Sequence, residues 1–127
     1  MFDYRTDKQR VIGLGSAKSG THHWWSQRVT SVALIPLTIL AIFPLDHALG
    51  GSWADVVATY ASPFNAIVMI LFLAVGALHL QQGLQVVIED YVHQKAARTA
   101  MLLGNTMLCA VLGLAGVFAV AKIAFVG

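Results

Sequence analysis

The residues best suited to chemistry interrupt one apolar run: His79, Gln81, Gln82 and Gln85 sit in a hydrophobic stretch that closes on Glu89, Asp90 and Tyr91. At 3.6 residues per helical turn, Gly83 lies about 40° from His79, Val86 and Asp90 within about 20° of it, and Gly76 about 60° away. One face therefore carries an imidazole, two glycines and a terminal carboxylate. A neutral imidazole in an apolar slot suits axial ligation of a haem iron, and glycines beside it leave room for something flat and large. The same residues also serve plain packing, with His79 and the glutamines hydrogen-bonding to neighbouring helices. Ligation by two histidines requires a second subunit, because His79 is the one histidine expected deep in an apolar span. Asp90 and Tyr91 offer an acid and a phenol, suited to delivering a proton and a hydrogen bond to a quinone carbonyl, or simply to ending a helix at an interface.

The elements that position such a face must be helices in a bilayer. Of the 127 residues 57% are hydrophobic and 11% charged, against about 25% charged in soluble domains. So few charges do not cover the surface of a water-soluble globule, and the length excludes a multidomain enzyme. The charges leave three long gaps, Val29 to Leu45, Val56 to Ile88 and Thr99 to Ala121. A hydrocarbon core about 30 Å thick takes about 20 helical residues. Pro63 divides the second gap, so the expected spans are residues 29–48, 64–88 and 99–122 of a single membrane-anchor domain covering 1–127. Residues 1–28 form an N-terminal segment and 46–63 an external connection. Pro36 and Pro44 are expected to kink the first span at little cost. His79, ten residues before Glu89, falls roughly 15 Å below the membrane boundary.

Five Lys or Arg residues precede the first span, none lies in residues 46–63, two follow the second span and one ends the third. The positive-inside bias then puts the N-terminus in the cytoplasm. Trp24, Trp25, Trp53, Tyr60 and Tyr91 fall where interfacial aromatics are favoured. Arg28 abuts the first span, where it either snorkels to headgroups or pairs with an anionic cofactor group such as a propionate. His22, His23, His47 and His93 fall near span ends, where an exposed imidazole needs no special role.

There is no dense basic run for nucleic acid, and the single Cys109 forms neither an internal disulfide nor a thiolate metal site. Residues 1–28 lack the apolar core of a cleavable signal peptide. Gly13 to Ser19, GLGSAKS, has the wrong spacing for a phosphate loop and no preceding strand. In the third span, packing accounts for Asn105, Thr106, Cys109, Gly104, Gly113 and Gly116.

The segments HHWWSQRVTSVALIPL (His22 to Leu37) and HLQQGLQVVIEDYVH (His79 to His93) together resemble the small hydrophobic membrane anchor of succinate dehydrogenase (complex II), in its alphaproteobacterial and mitochondrial-like form. The resemblance runs over most of the chain, and its specific part is the histidine followed, after ten intervening residues, by Asp-Tyr. It implies an all-α membrane protein whose three transmembrane helices pack with a second anchor, a cytochrome b subunit, into a helical bundle. By the same resemblance His79 is an axial ligand of a haem b shared with that subunit, Tyr91 the quinone hydrogen-bond donor and Asp90 the acid beside it. Arg28 and His22 resemble the pair near the haem propionates, and Gly83 lies beside the haem ligand. The implied partners are a flavoprotein holding FAD and an iron-sulfur subunit, with ubiquinone as substrate and a bacterial inner membrane, in preference to a mitochondrial one, as location. On its own the chain would not be catalytic. Assembly of the heterotetramers into trimers is left open. The alternatives are an anchor of a quinol:fumarate reductase and a haem-free structural membrane protein.

Overall fold

The computed structural model describes residues 6–12 and 20–126. The Gly13 to Ser19 segment, with its superficial phosphate-loop pattern, lies outside them. Five helices follow in order: α1 (Asp7–Ile12), α2 (Gly20–Leu49), α3 (Trp53–Tyr60), α4 (Pro63–Tyr91) and α5 (Lys95–Val126). Three of them, α2, α4 and α5, are long and apolar enough to cross a membrane, which establishes the all-α membrane class expected from the sequence. At 1.5 Å per residue each reaches roughly 45 Å, beyond the hydrocarbon thickness.

The helices outrun the expected spans at both ends. Helix α2 starts at Gly20 rather than near residue 29, and α5 starts at Lys95. An apolar span ends where polarity begins, but a helix ends where its hydrogen bonds can no longer be satisfied, and the polar first turns of α2 find partners on α4. Pro36 and Pro44 both lie inside α2, which continues through them. The connection expected at 46–63 contains helix α3. Its apolar Trp53, Val56, Val57 and Tyr60 recur at helical spacing, and Asp55, three residues after Ser52, accepts bonds from the Ser52 amide (2.7 Å) and hydroxyl (2.8 Å). Pro63 opens α4 at a position where its missing N–H costs nothing. Val92, extended, ends it.

Helix α4 lies in the middle, packed antiparallel on α2 along one flank and on α5 along the other, with α3 closing one end. The buried apolar core gathers at that end, around Ala41, Ala48, Tyr60, Ala66, Val68, Met69 and Val120. The half that carries His79 is joined differently. There, hydrogen bonds between polar side chains hold α4 to both neighbours. Most of the large apolar side chains on the outer faces, among them Val32, Ile39, Leu103 and Leu114, are exposed within this chain, as lipid-facing or subunit-facing surfaces of a membrane protein should be.

Candidate functional site

His79 projects from the middle of α4 towards α2, half-buried. Its Nδ1 lies 2.9 Å from the Thr30 hydroxyl, and its Nε2 lies 3.5 Å from the Gln27 amide nitrogen. The Thr30 hydroxyl is also 3.0 Å from the Ser26 carbonyl and 3.1 Å from that of Gln27. Nearer the start of α2, the Gln82 amide donates to the Ser26 hydroxyl at 2.7 Å. His23, Ser26, Gln27 and Thr30 thus form the stripe of α2 that faces α4, as spacings of three, four and seven residues dictate on a helix.

This seam is incompletely satisfied. His23 Nε2, Gln27 Oε1 and Gln82 Oε1 are buried without a hydrogen-bond partner, a state that costs about 1–3 kcal/mol per group. Beside them an open cavity of about 450 Å³ is lined by Gly20, His22, His23, Ser26, Gln82, Gln85 and Glu89. A Cβ at Gly83 would come no closer than 3.7 Å to Gln27, and one at Gly76 would meet nothing within 4 Å. Room therefore exists next to His79 on its own helix.

Of the other residues singled out from the sequence, Arg28, Asp90 and Tyr91 stand apart from this seam and His22 lines the cavity beside it. Arg28 is exposed, its guanidinium 5.5 Å from the Trp24 ring centre, with Trp24 stacked on Trp25 at 5.9 Å. The Ser26–Gln82 and Thr30–His79 pairings set Arg28 level with Leu80, beyond the second turn of α2. His22 is exposed at the rim of the cavity. Asp90 and Tyr91 close α4, both exposed, Tyr91 at 77%, and the Tyr91 carbonyl lies 3.1 Å from His93 Nδ1. Sequence reasoning passed over Ser26, Gln27 and Thr30, although the polar repeat from His23 to Thr30 was visible.

On the far flank of α4, the Asn105 amide donates to the Gln81 carbonyl at 2.9 Å, and Cys109 Sγ lies 3.5 Å from Asn105 Oδ1. Gly113 packs against Ala77 and Gly116 against Leu73, whereas Gly104 has open space around it. Packing thus accounts for Asn105, Cys109, Gly113 and Gly116, whereas Thr106 is exposed and Gly104 has open space.

The donor set suits a haem better than a bare metal ion. Among the described residues no three His, Cys, Asp or Glu side chains come together as a metal site. A haem iron takes four donors from its macrocycle and asks one imidazole of a helix. His79 Nε2, engaged only by a long contact with an amide whose oxygen is itself unpartnered, is free to meet that demand.

Three packed spans, polar along the seams of one half and apolar outside, define a polytopic membrane-anchor protein. The family described as succinate dehydrogenase/fumarate reductase transmembrane subunit matches residues 3–118, and the chain belongs to it. It is 34% identical over 119 residues to the succinate dehydrogenase hydrophobic membrane anchor subunit of Paracoccus denitrificans, covering 94% of this chain and 92% of that one. It is 30% identical over 105 residues to the protein of the same name from Rickettsia bellii, covering 80% and 82%. Against the succinate dehydrogenase membrane anchor subunit of Reclinomonas americana it is 30% identical over 93 residues, covering 71% and 78%. These relatives bear out the alphaproteobacterial and mitochondrial-like resemblance. No solved structure matches the chain.

Proposed function

We propose that this chain is the inner-membrane anchor of succinate dehydrogenase, holding one axial position of a haem b through His79 and presenting Tyr91 and Asp90 to ubiquinone. The observation that carries the reading is His79 itself. It is a half-buried imidazole in the polar half of α4, beside unpartnered polar atoms and glycines at which a Cβ would meet nothing closer than 3.7 Å.

His79 Nε2 would hold the iron, with a histidine of the second anchor subunit as the other protein donor. Arg28, level with Leu80, and His22 at the cavity rim are the groups of this chain suited to the propionates. When bound, the haem supplies a one-electron redox centre inside the membrane. Reducing a quinone to a quinol takes two electrons and two protons. The phenol of Tyr91 donates a hydrogen bond to the quinone oxygen, and the Asp90 carboxyl passes protons from the aqueous side. The basic N-terminal stretch and the start of α5, with Lys95 and Arg98, face the cytoplasm and the iron-sulfur subunit, which is joined to the flavoprotein that oxidises succinate. Higher assembly, including a trimer of heterotetramers, is compatible with the exposed apolar faces.

The test is affinity purification of this chain in mild detergent from its native membrane. A flavoprotein, an iron-sulfur protein and a second hydrophobic subunit should come with it, and the preparation should reduce ubiquinone with succinate. Recovery of the intact chain without flavin would overturn the reading. Turnover faster with fumarate and a quinol than with succinate and a quinone would assign the complex to fumarate reduction instead.

A further inference from the structure

We propose that Thr30 is a positioning residue for His79: its hydroxyl accepts the Nδ1 proton, so that Nε2 is left as the nitrogen that binds iron. The inference rests on the reading of His79 as a haem ligand and adds to it the group that fixes the ring.

A neutral imidazole carries one N–H, and the nitrogen without it is the ligand. If Nε2 is to bind iron, Nδ1 must hold the proton and, in an apolar span, must find an acceptor. The Thr30 hydroxyl stands 2.9 Å from Nδ1. A hydroxyl has one proton to give and two lone pairs to receive with. The Ser26 and Gln27 carbonyls at 3.0 and 3.1 Å take that proton by the common back-bond of a helical threonine. Thr30 is then an acceptor towards α4. The chain of bonds runs in one direction, from Nδ1–H to the hydroxyl to the α2 backbone, and it fixes both tautomer and ring rotation. The Gln27 amide nitrogen, 3.5 Å from Nε2, makes only a long contact there. A hydrogen bond from Nδ1–H also makes the imidazole a stronger donor to oxidised iron, which lowers the haem potential.

Thr30→Val removes the hydroxyl with almost no change of shape, and Thr30→Ser restores it. Nitrogen-15 NMR of the full chain, labelled at histidine and reconstituted in lipid without haem, reads the tautomer directly. His79 should be Nδ1-protonated in the native and Ser forms and lose that preference in the Val form. In the purified complex, Thr30→Val should weaken haem retention by about 10- to 100-fold, as loss of such an outer partner does elsewhere, and raise the haem midpoint potential. Thr30→Ser should return both. Native tautomer, retention and potential in Thr30→Val would overturn the role of Thr30 while leaving ligation intact. If His79→Ala kept the low-spin haem, the ligation reading would fall and this inference with it. Should the Val form not assemble, the tautomer in the full chain still decides: an Nε2-protonated His79 in the native chain contradicts the proposal.

Discussion

The side-chain amide of Asn105 on α5 donates 2.9 Å to the backbone carbonyl of Gln81 on α4. Asn105 is only 7% exposed, the one buried polar side chain among the described residues, and its own carbonyl is 3.5 Å from Cys109 Sγ. The clamp sits two residues beyond His79 on the opposite flank of α4. It therefore fixes α4 against α5 level with the polar seam on the other flank.

Replacing Asn105 by valine stays near its volume and removes the clamp. The expected loss is about 0.6–1.7 kcal/mol, the range of interhelical hydrogen bonds in membranes, read as a lower thermal midpoint of the purified complex. An unchanged midpoint would mean that apolar packing alone holds α5.

Two glycines of α5 should respond in opposite ways to alanine. At Gly113 the new Cβ would lie 2.8 Å from Ala77 Cβ, so the helices must move apart, whereas at Gly104 nothing lies within 4 Å. Gly113→Ala should cost about 1–3 kcal/mol. Gly104→Ala should be neutral or gain up to about 1 kcal/mol from helix propensity. Thermal melts of the two variants in the same detergent distinguish them.

The start of α3 should be sensitive to acid. Hydrogen bonds from the Ser52 hydroxyl, and next from its backbone N–H, hold the Asp55 carboxyl below its ordinary 3.8. The folded chain thus favours the carboxylate. Its contribution is full above about pH 4, and it is lost as pH falls through the lower native value. Exchange protection of the Ser52 amide should drop over that acid window in the native chain, and Asp55→Asn should make it flat with pH. Gly51 belongs to the same cap, because a Cβ there would approach Asp55 Cβ to 2.7 Å.

Tyr91→Phe removes one hydroxyl from a side chain that is 77% exposed in this chain. Stability should change little. Succinate-dependent quinone reduction should fall about tenfold, the value of one hydrogen bond of about 1.4 kcal/mol, while reduction of an artificial dye by the flavoprotein stays normal. Equal losses in both assays would point to faulty assembly rather than to the quinone.

Much of this architecture was legible because charges are scarce and each one marks an end. The three long apolar helices and the placing of Asp90 and Tyr91 at the end of one of them follow from spacing. Residues 46–63 were read only as an external connection and helix α3 was not foreseen, although Ser52, Asp55 and the apolar repeat from Trp53 to Tyr60 were there to read. The partners of His79 were not legible in the same way. Which face of α2 meets α4 is set by packing and register, and Ser26 and Thr30 look, in sequence, like ordinary serines and threonines bonding back to their own helix. The family pattern directed attention to His22, which lines the cavity beside the seam, and to Arg28, which stands over Trp24 instead.

The central claim, that His79 anchors a haem in a succinate-oxidising complex, is tested most directly by one comparison. It is the reduced-minus-oxidised visible spectrum, per bound flavin, of the complex purified through the native chain and through His79→Ala. The account predicts a low-spin b-type signal in the first and its loss or conversion to high spin in the second, with flavin still present. The same low-spin signal in both, or none in a flavin-bearing native complex, would contradict it.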